Sequence, residues 1–205
     1  MVLPKKTVKN NSQSAFFSQS DLPVTQVLPR LTAALNDPGR AVLQAPPGSG
    51  KTTRVPLALL NAPWLAGKKI LMLEPRRLAA RTCARFMAAQ CREKAGQTVG
   101  YRVRMETRVS AGTRIEVLTE AILTRMIQTD PALEGVGLVI FDEFHERHIH
   151  SDLGLALCLE TAEVLRPDLR ILVMSATMDT RSLGFLLDPV KIIVSKGRQW
   201  PVDTV

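Results

Sequence analysis

The chain has 205 residues, 45% of them hydrophobic, and 27 Lys and Arg against 19 Asp and Glu give a formal charge of +8 and a pI near 9.9. This length suits one well-buried domain, and the basic balance favours a polyanionic partner such as nucleic acid. Three cysteines without C-x-x-C spacing argue against a disulfide framework or a zinc site, and the apolar runs fall well short of the ~20 residues of a membrane helix.

Residues 1–20 carry Lys5, Lys6 and Lys9 without any acid, and they lack the apolar core of a secretory signal. We expect a flexible leader here. The three cysteines are interpreted as small core residues in a reducing compartment, which favours the cytoplasm, and the short apolar runs indicate a soluble protein.

Short β-rich runs then alternate with helical patterns along the chain. The predicted strands are continuous apolar runs, which are typical of a parallel sheet covered on both faces. They span 41–45, 69–75, 114–119, 137–143, 170–176 and 191–195. The predicted helices span 25–36, 51–61, 76–91, 120–128, 151–165 and 179–187. This order predicts an α/β fold with a mostly parallel, doubly wound sheet, in which ligands bind beyond the carboxyl ends of the strands.

The segment PPGSGKTT (46–53) follows the first predicted strand and opens the next helix. Gly48 and Gly50 let the backbone curl so that successive N–H groups face one anion at the positive end of the helix dipole. Lys51 would then reach the β- and γ-phosphates of a nucleotide, and the Thr52 hydroxyl would ligate Mg²⁺.

The match to the phosphate-loop pattern G-x-x-x-x-G-K-[ST] lacks only its first glycine, which is replaced by Ala45. The alternative is a glycine-rich turn that caps a helix and binds nothing. The strand before the loop, the helix after it and the intact GSGKT favour a nucleotide site. The residues assigned to this site are Pro47, Gly48, Ser49, Gly50, Lys51, Thr52 and Thr53.

The run GLVIFDEFHER (137–147) changes abruptly from apolar to charged residues at Asp142 and Glu143. A strand that ends in a solvated loop would show the same change. With a phosphate loop elsewhere in the chain, the two acids are better explained as a pair that holds Mg²⁺ and activates a water. We assign Thr52, Asp142 and Glu143 to the metal site, and Glu143 also to the role of general base.

Together, APPGSGKTT and DEFH resemble motifs I and II of superfamily 2 helicases of the DEAH branch, several of which begin motif I with Ala. Three further segments resemble motifs Ia, Ib and III in the same order, namely EPRRLAAR (74–81), TEAILTR (119–125) and SAT (175–177). VGYRVRMET (99–107) and KGRQWPV (196–202) are also similar to the family. The details of these segments point to its bacterial HrpB type, with similarity over 21–205.

The resemblance implies a RecA-like P-loop NTPase domain over 21–195, which is the first motor domain of an ATP-dependent helicase. It implies Mg²⁺ and ATP at the strand ends and single-stranded RNA or DNA across the same edge. The residues that it places near the nucleic-acid backbone are Arg76, Arg77, Thr119, Glu120 and Arg125. Arg76 and Arg77 suit phosphate contact. Glu120, as an acid, suits a helix N-terminus better than a backbone contact, with Thr119 as the N-cap, and Arg125 equally suits a solvated helix face.

The resemblance also assigns roles in coupling and catalysis. Ser175 and Thr177 would relay the state of the γ-phosphate, although such hydroxyls also satisfy backbone groups at strand ends. His145 would face a second motor domain and join Lys51 and the two acids in the catalytic set; a histidine in an ordinary loop is the alternative.

Two departures from the family pattern matter. An Arg that stacks on adenine in related helicases aligns with Phe86, which could stack without a cation or could be a core residue. Residues 196–205 would begin a linker to a second RecA-like domain, without which hydrolysis and unwinding should be nearly absent. The competing hypotheses are a P-loop ATPase that remodels protein and a non-catalytic nucleotide- or RNA-binding module.

Overall fold

Eight strands form one sheet in the computed structural model of the protein, which describes residues 22–37, 39–177 and 187–196. They are β1 (Arg40–Gln44), β2 (Lys69–Leu73), β3 (Val99–Val103), β4 (Glu106–Arg108), β5 (Ile115–Leu118), β6 (Val136–Phe141), β7 (Arg170–Ser175) and β8 (Lys191–Val194). Their order across the sheet is β4-β3-β5-β2-β6-β7-β1-β8. Neighbouring strands pair in parallel, except for the antiparallel β3 and β4.

Helices cover both faces of this sheet. The α-helices of the described residues are α1 (Leu28–Asn36), α2 (Lys51–Leu59), α3 (Arg77–Gln90), α4 (Glu120–Thr129) and α5 (Ile149–Glu160). Short 3₁₀ helices lie at Pro23–Val27, Pro63–Leu65 and Phe144–Glu146, and a π-helical turn, Thr161–Leu165, continues α5.

The sheet separates two hydrophobic layers. Alternate residues of β2 serve opposite layers, because Ile70 and Met72 pack with α1, α2 and α3 while Leu71 and Leu73 pack with α4 and α5. All four side chains are at most 1% exposed. Since fully burying an aliphatic side chain contributes about 1.5–3 kcal/mol, central strands without polar faces are favoured.

The predicted α/β class and mostly parallel sheet are confirmed, and each of the six predicted strands is present with bounds shifted by at most two residues. The predicted helix at 151–165 begins earlier, at Ile149, and changes to π-helical geometry after Glu160. The leader at 1–20, nearly all of the helix predicted at 179–187 and the linker beyond residue 196 lie outside the described residues.

The β3–β4 hairpin was not predicted as strands. It adds an edge to the sheet through parallel pairing of β3 with β5, and β4 returns antiparallel beside β3. Gly100 allows this close approach, because a Cβ at this position would lie 2.3 Å from the Arg108 carbonyl oxygen.

Cys83 and Cys158 are buried in the two layers, and Cys91 is partly buried. Burial raises the pKa of the Cys158 thiol to about 12. Among the described residues, no helix combines the length and the apolar character needed to cross a membrane.

Candidate functional site

The loop between β1 and α2 forms the first half of the site. Gly48 and Gly50 adopt φ values of 75° and 89°, which are in the left-handed region that glycine enters without strain. Ser49 is buried, and its hydroxyl has no hydrogen-bond partner among the described residues. α2 begins directly after the loop at Lys51, so its free N–H groups face the same space. This geometry provides a cradle for an anion.

The segment after β6 forms the second half. β6 ends at Phe141, Asp142 is 3% exposed, and Glu143 adopts a left-handed φ of 49° before a 3₁₀ turn. The Glu143 N–H donates to Asp142 Oδ1 at 2.8 Å, so one carboxylate oxygen is held by the adjacent backbone. A positive φ in a residue other than glycine is uncommon, and at this position the Glu143 side chain contacts Lys51 of the loop.

The two halves lie in direct contact. Lys51 Nζ is 2.8 Å from Glu143 Oε1, and the Thr52 hydroxyl donates to Asp142 Oδ2 at 2.5 Å. Only β7 separates β1 from β6 in the sheet, so the carboxyl ends of these strands open at one edge. The structure thus brings together two pairs of residues. The members of these pairs lie 92 and 90 positions apart in the sequence.

A third carboxyl group, that of Glu74, lies next to Asp142. Glu74 follows β2 and is 4% exposed, and burial, then the charges of Asp142 and Glu143, raise its pKa to about 8. Burial also raises the pKa of Asp142 to about 6, although the Thr52 hydroxyl and the Lys51 charge oppose the rise. Sequence reasoning assigned no role to Glu74, although EPRR places it directly after a strand. The site therefore combines one buried lysine with three carboxyl groups and favours an added cation.

The oxygens of this site suit Mg²⁺ in kind. Magnesium prefers oxygen ligands and is usually held by one or two protein groups together with substrate phosphates and water. The Thr52 hydroxyl and the Asp142 carboxylate meet that description. Within the described residues, no group of three or more His, Cys, Asp or Glu side chains is arranged to hold a metal ion.

A cleft of about 470 Å³ extends from the loop along α3. It is lined by Leu22, Pro47, Gly48, Gly50, Lys51, Thr52, Thr53, Arg54, Phe86, Gln90 and Glu143. Phe86 is 56% exposed in this cleft, so the core alternative for this residue is wrong. Beside it, Arg54 Nη1 donates to Gln90 Oε1 at 3.1 Å.

The two arginines after β2 lie at the same edge of the sheet. Arg76 pairs with Glu146 at 2.9 Å, and its side chain is 73% exposed. Arg77 begins α3 and donates from Nη2 to the Arg104 carbonyl oxygen at 2.9 Å. The Arg76–Glu146 ion pair therefore joins the segment 74–81 to the turn that follows Glu143.

The residues after β5 have different surroundings. Thr119 occupies the N-cap position of α4 without a capping hydrogen bond from its side chain. Glu120 lies in the first turn of α4, is 8% exposed and accepts a hydrogen bond from Ser151, in agreement with the helix-terminus interpretation. Arg125 is exposed on the same helix.

The remaining residues lie around the phosphate loop. The Ala45 N–H donates to the Ser175 carbonyl oxygen at 3.0 Å, and the buried Ser175 hydroxyl donates to the Thr177 carbonyl oxygen at 2.7 Å. His145 is exposed, with Nδ1 3.4 Å from Glu143 Oε2. Ser175 therefore contacts the start of the phosphate loop, and His145 contacts the acid Glu143.

Comparison with known proteins gives a consistent result. Residues 25–184 match the family model described as DEAD/DEAH box helicase. The chain is 52% identical over 184 residues to the ATP-dependent RNA helicase HrpB of Escherichia coli strain K12, covering 90% of this chain and 23% of that protein. It is 33% identical over 202 residues to the human putative ATP-dependent RNA helicase DHX57, covering 97% of this chain and 14% of that protein.

A solved structure agrees with these relatives. The crystal structure of Escherichia coli DEAH/RHA helicase HrpB superposes with a TM-score of 0.85 at 51% identity, over 89% of this chain and 23% of that one. The chain therefore spans less than a quarter of the length of these HrpB proteins.

Proposed function

The chain belongs to the DEAD/DEAH box helicase family, and on that premise we propose that it is the first motor domain of an ATP-dependent helicase. We call the longer protein in which this domain would act the parent protein, because the HrpB relatives are about four times as long as the matched region. The proposed substrates are ATP with Mg²⁺ and a single strand of RNA or DNA. The free cysteines suit a cytoplasmic location.

The phosphates of ATP would lie on the loop from Pro47 to Thr53. Successive loop N–H groups and the start of α2 would donate to phosphate oxygens, as would the buried Ser49 hydroxyl. Lys51 would contact the β- and γ-phosphates by exchanging its ion pair with Glu143 for phosphate oxygens. Mg²⁺, held by Thr52 and Asp142, would neutralise charge that develops on the phosphates.

Glu143 is the proposed general base. Its carboxylate lies next to Lys51 and the Thr52–Asp142 pair, so a water that attacks the γ-phosphate would be within reach. His145 contacts Glu143 from the exposed side, where a second domain would approach. Ser175 and Thr177 are joined by a hydrogen bond beside the loop. They would transmit the presence or absence of the γ-phosphate to the neighbouring strand ends.

Phe86 is the proposed platform for the base. Its ring is half-exposed in the cleft that begins at the phosphate loop, and a nucleobase could stack on its face. Stacking on an apolar ring is tolerant of base identity, because every base has a π-face.

The single strand would cross the neighbouring strand ends. The proposed contacts are Arg76 and Arg77 after β2, Thr119 after β5 and Arg125 on α4. Glu120, in the first turn of α4, would stabilise the start of this helix through its hydrogen bond with Ser151. The arginines would neutralise backbone phosphates and release counterions. The Arg76–Glu146 pair would link this binding to the acids of motif II.

A second RecA-like domain of the parent protein would complete the motor. An arginine finger from such a domain contributes about 10³ to 10⁵ in rate to NTPases that use one. We therefore expect the 205-residue chain alone to bind nucleotide modestly, to hydrolyse it very slowly and to unwind nothing.

The observation that carries this proposal is the contact of Lys51 and Thr52 with Glu143 and Asp142 at one sheet edge. The test is the ATPase rate of the parent protein with and without single-stranded RNA. We expect stimulation by RNA. An unstimulated ATPase would instead support the alternative of a P-loop enzyme that acts on protein.

A further inference from the structure

Two polar side chains lie in the nucleotide cleft beside Phe86. Gln90 follows Phe86 by four residues on α3, so both side chains leave the same face of the helix, about 6 Å apart along its axis. Arg54 lies in the first turn of α2, and its Nη1 donates to Gln90 Oε1 at 3.1 Å. Both polar side chains line the cleft and are only partly buried. A ligand in the cleft therefore has access to them.

The contact with Arg54 fixes the direction in which the Gln90 amide faces. A guanidinium group has five N–H donors and no acceptor, so Gln90 meets it with its carbonyl oxygen and keeps its NH₂ group for another partner. In the part of the chain that the structure describes, neither side chain makes a second hydrogen bond. The remaining N–H groups of both residues therefore form an edge of donors in the cleft.

A structural role accounts for only part of this arrangement. The Arg54–Gln90 hydrogen bond joins α2 to α3, and it uses one N–H group of the arginine and one lone pair of the glutamine. A base stacked on Phe86 would bring its own edge next to the donors that are left. Every base has a π-face, so stacking does not select among bases, whereas hydrogen bonds at the base edge do.

Guanine and adenine differ at this edge. Guanine presents two adjacent acceptors, O6 and N7, whereas adenine presents N7 beside the N6 amino group, which is a donor. An edge of donors satisfies both guanine acceptors but leaves the adenine amino group facing other donors. Arginine bonded to O6 and N7 together is also the commonest specific contact to guanine in nucleic-acid recognition. The chemistry of the cleft therefore matches guanine better than adenine.

We propose that Arg54 and Gln90 select the base of the nucleotide, and that the cleft binds guanine nucleotides in preference to adenine nucleotides. Arg54 donates to O6 and N7, while Gln90 holds the guanidinium group in place and adds its own NH₂ donor. This inference rests on the proposed function, because it requires the phosphates on the loop and the base on Phe86. ATP remains a substrate, since neither the phosphate contacts nor the stacking depends on the base.

The test compares nucleoside diphosphates that differ only in the base, by calorimetric titration of the parent protein in Mg²⁺. The ligands are GDP, ADP and IDP; the last keeps O6 and N7 of guanine and lacks its 2-amino group. We expect the Kd values of GDP and IDP to lie about tenfold below that of ADP, because a good bidentate contact to a base edge discriminates by about this factor or more. Removal of one acceptor, in 7-deaza-GDP, should weaken binding relative to GDP.

The variant Gln90→Glu replaces the NH₂ donor by an acceptor and keeps an oxygen for the contact with Arg54. The advantage of GDP over ADP should then disappear, because a carboxylate accepts from the adenine amino group and repels guanine O6. The matched control, Gln128→Glu, makes the same change at an exposed position of α4 and should keep the wild-type ratio of the two Kd values. A merely structural defect would weaken both ligands and leave this ratio unchanged.

Equal Kd values of GDP and ADP for the wild type would overturn the inference and leave the proposed function in place. The same holds if IDP binds like ADP, because the 2-amino group would then carry the selection. A GDP preference that survives in Gln90→Glu would exclude the Arg54–Gln90 pair from base selection and also overturn the inference. Failure of the wild-type parent protein to bind any of the diphosphates would instead refute the proposed function.

Discussion

One buried lysine, Lys51, and one partly buried hydroxyl, that of Thr52, face the carboxylates that follow β6. Lys51, Thr52, Asp142 and Glu143 were each assigned from sequence, because the loop glycines and the abrupt change from apolar to acidic residues are local patterns. No local pattern identified Glu74. Its burial beside Asp142 depends on the pairing of β2 with β6, which the sequence around Glu74 does not reveal. The exposure of Phe86 depends likewise on how α3 packs against the phosphate loop.

The proposed general base is tested by Glu143→Gln, which keeps the size of the side chain and removes its charge. We expect ATP hydrolysis by the parent protein to fall by about 100-fold or more, because general-base catalysis contributes about 10² to 10⁴. Nucleotide affinity should change little. The matched control is Glu134→Gln, at an exposed position just before β6, at the end of that strand opposite to Asp142 and Glu143. Brisk hydrolysis by the Glu143 variant would remove this residue from the mechanism.

The base platform is tested by Phe86→Ala. Base–aromatic stacking is worth about 1–3 kcal/mol by alanine substitution, so the Kd for ATP should rise by about tenfold. Phe86→Tyr keeps an aromatic ring and should bind ATP as the wild type does.

Leu78→Ala serves as the control for this prediction, because Leu78 is 73% exposed on the same helix and does not line the cleft. Calorimetric titration with ATP gives the measurement. An unchanged Kd in Phe86→Ala would place the base elsewhere.

At the scale of elements, the sequence predicted the central strands well and the edge hairpin not at all. The central strands are covered on both faces, so their apolar runs are continuous, as in the fully buried β6. β3 is interrupted by Gly100 and Arg102, and β4 has only three residues, none of them buried. Such an edge forms through pairing with β5, which no local pattern in the hairpin reveals.

The hairpin gives a stability prediction. Gly100→Ala should lower the free energy of unfolding by about 1–3 kcal/mol, because the added methyl group would overlap the Arg108 carbonyl oxygen at 2.3 Å. Gly112→Ala is the control, since its nearest neighbour outside adjacent residues would be Ser110 Oγ at 3.8 Å. Urea unfolding followed by circular dichroism compares them. Equal midpoints would show that β3 does not approach β4 this closely.

At the scale of the whole molecule, the proposed ligand contacts follow from topology. Parallel strands all end at one edge, so segments after β1, β2, β5, β6 and β7 converge although they are far apart in sequence. That convergence was predictable from the alternation of strands and helices. The packing of α3 against the β3–β4 hairpin was not predictable in this way, because it joins two segments that share no local pattern.

The central claim is that the Lys51 loop and the acids after β6 bind one Mg²⁺–ATP together. Its most direct test is calorimetric titration of the parent protein with ATP, in Mg²⁺ and in EDTA, for the wild type and for Asp142→Asn. We predict that removal of Mg²⁺ weakens ATP binding to the wild type and has a much smaller effect on the variant. The account would be contradicted if the wild type bound ATP with equal affinity in Mg²⁺ and in EDTA and Asp142→Asn behaved in the same way as the wild type.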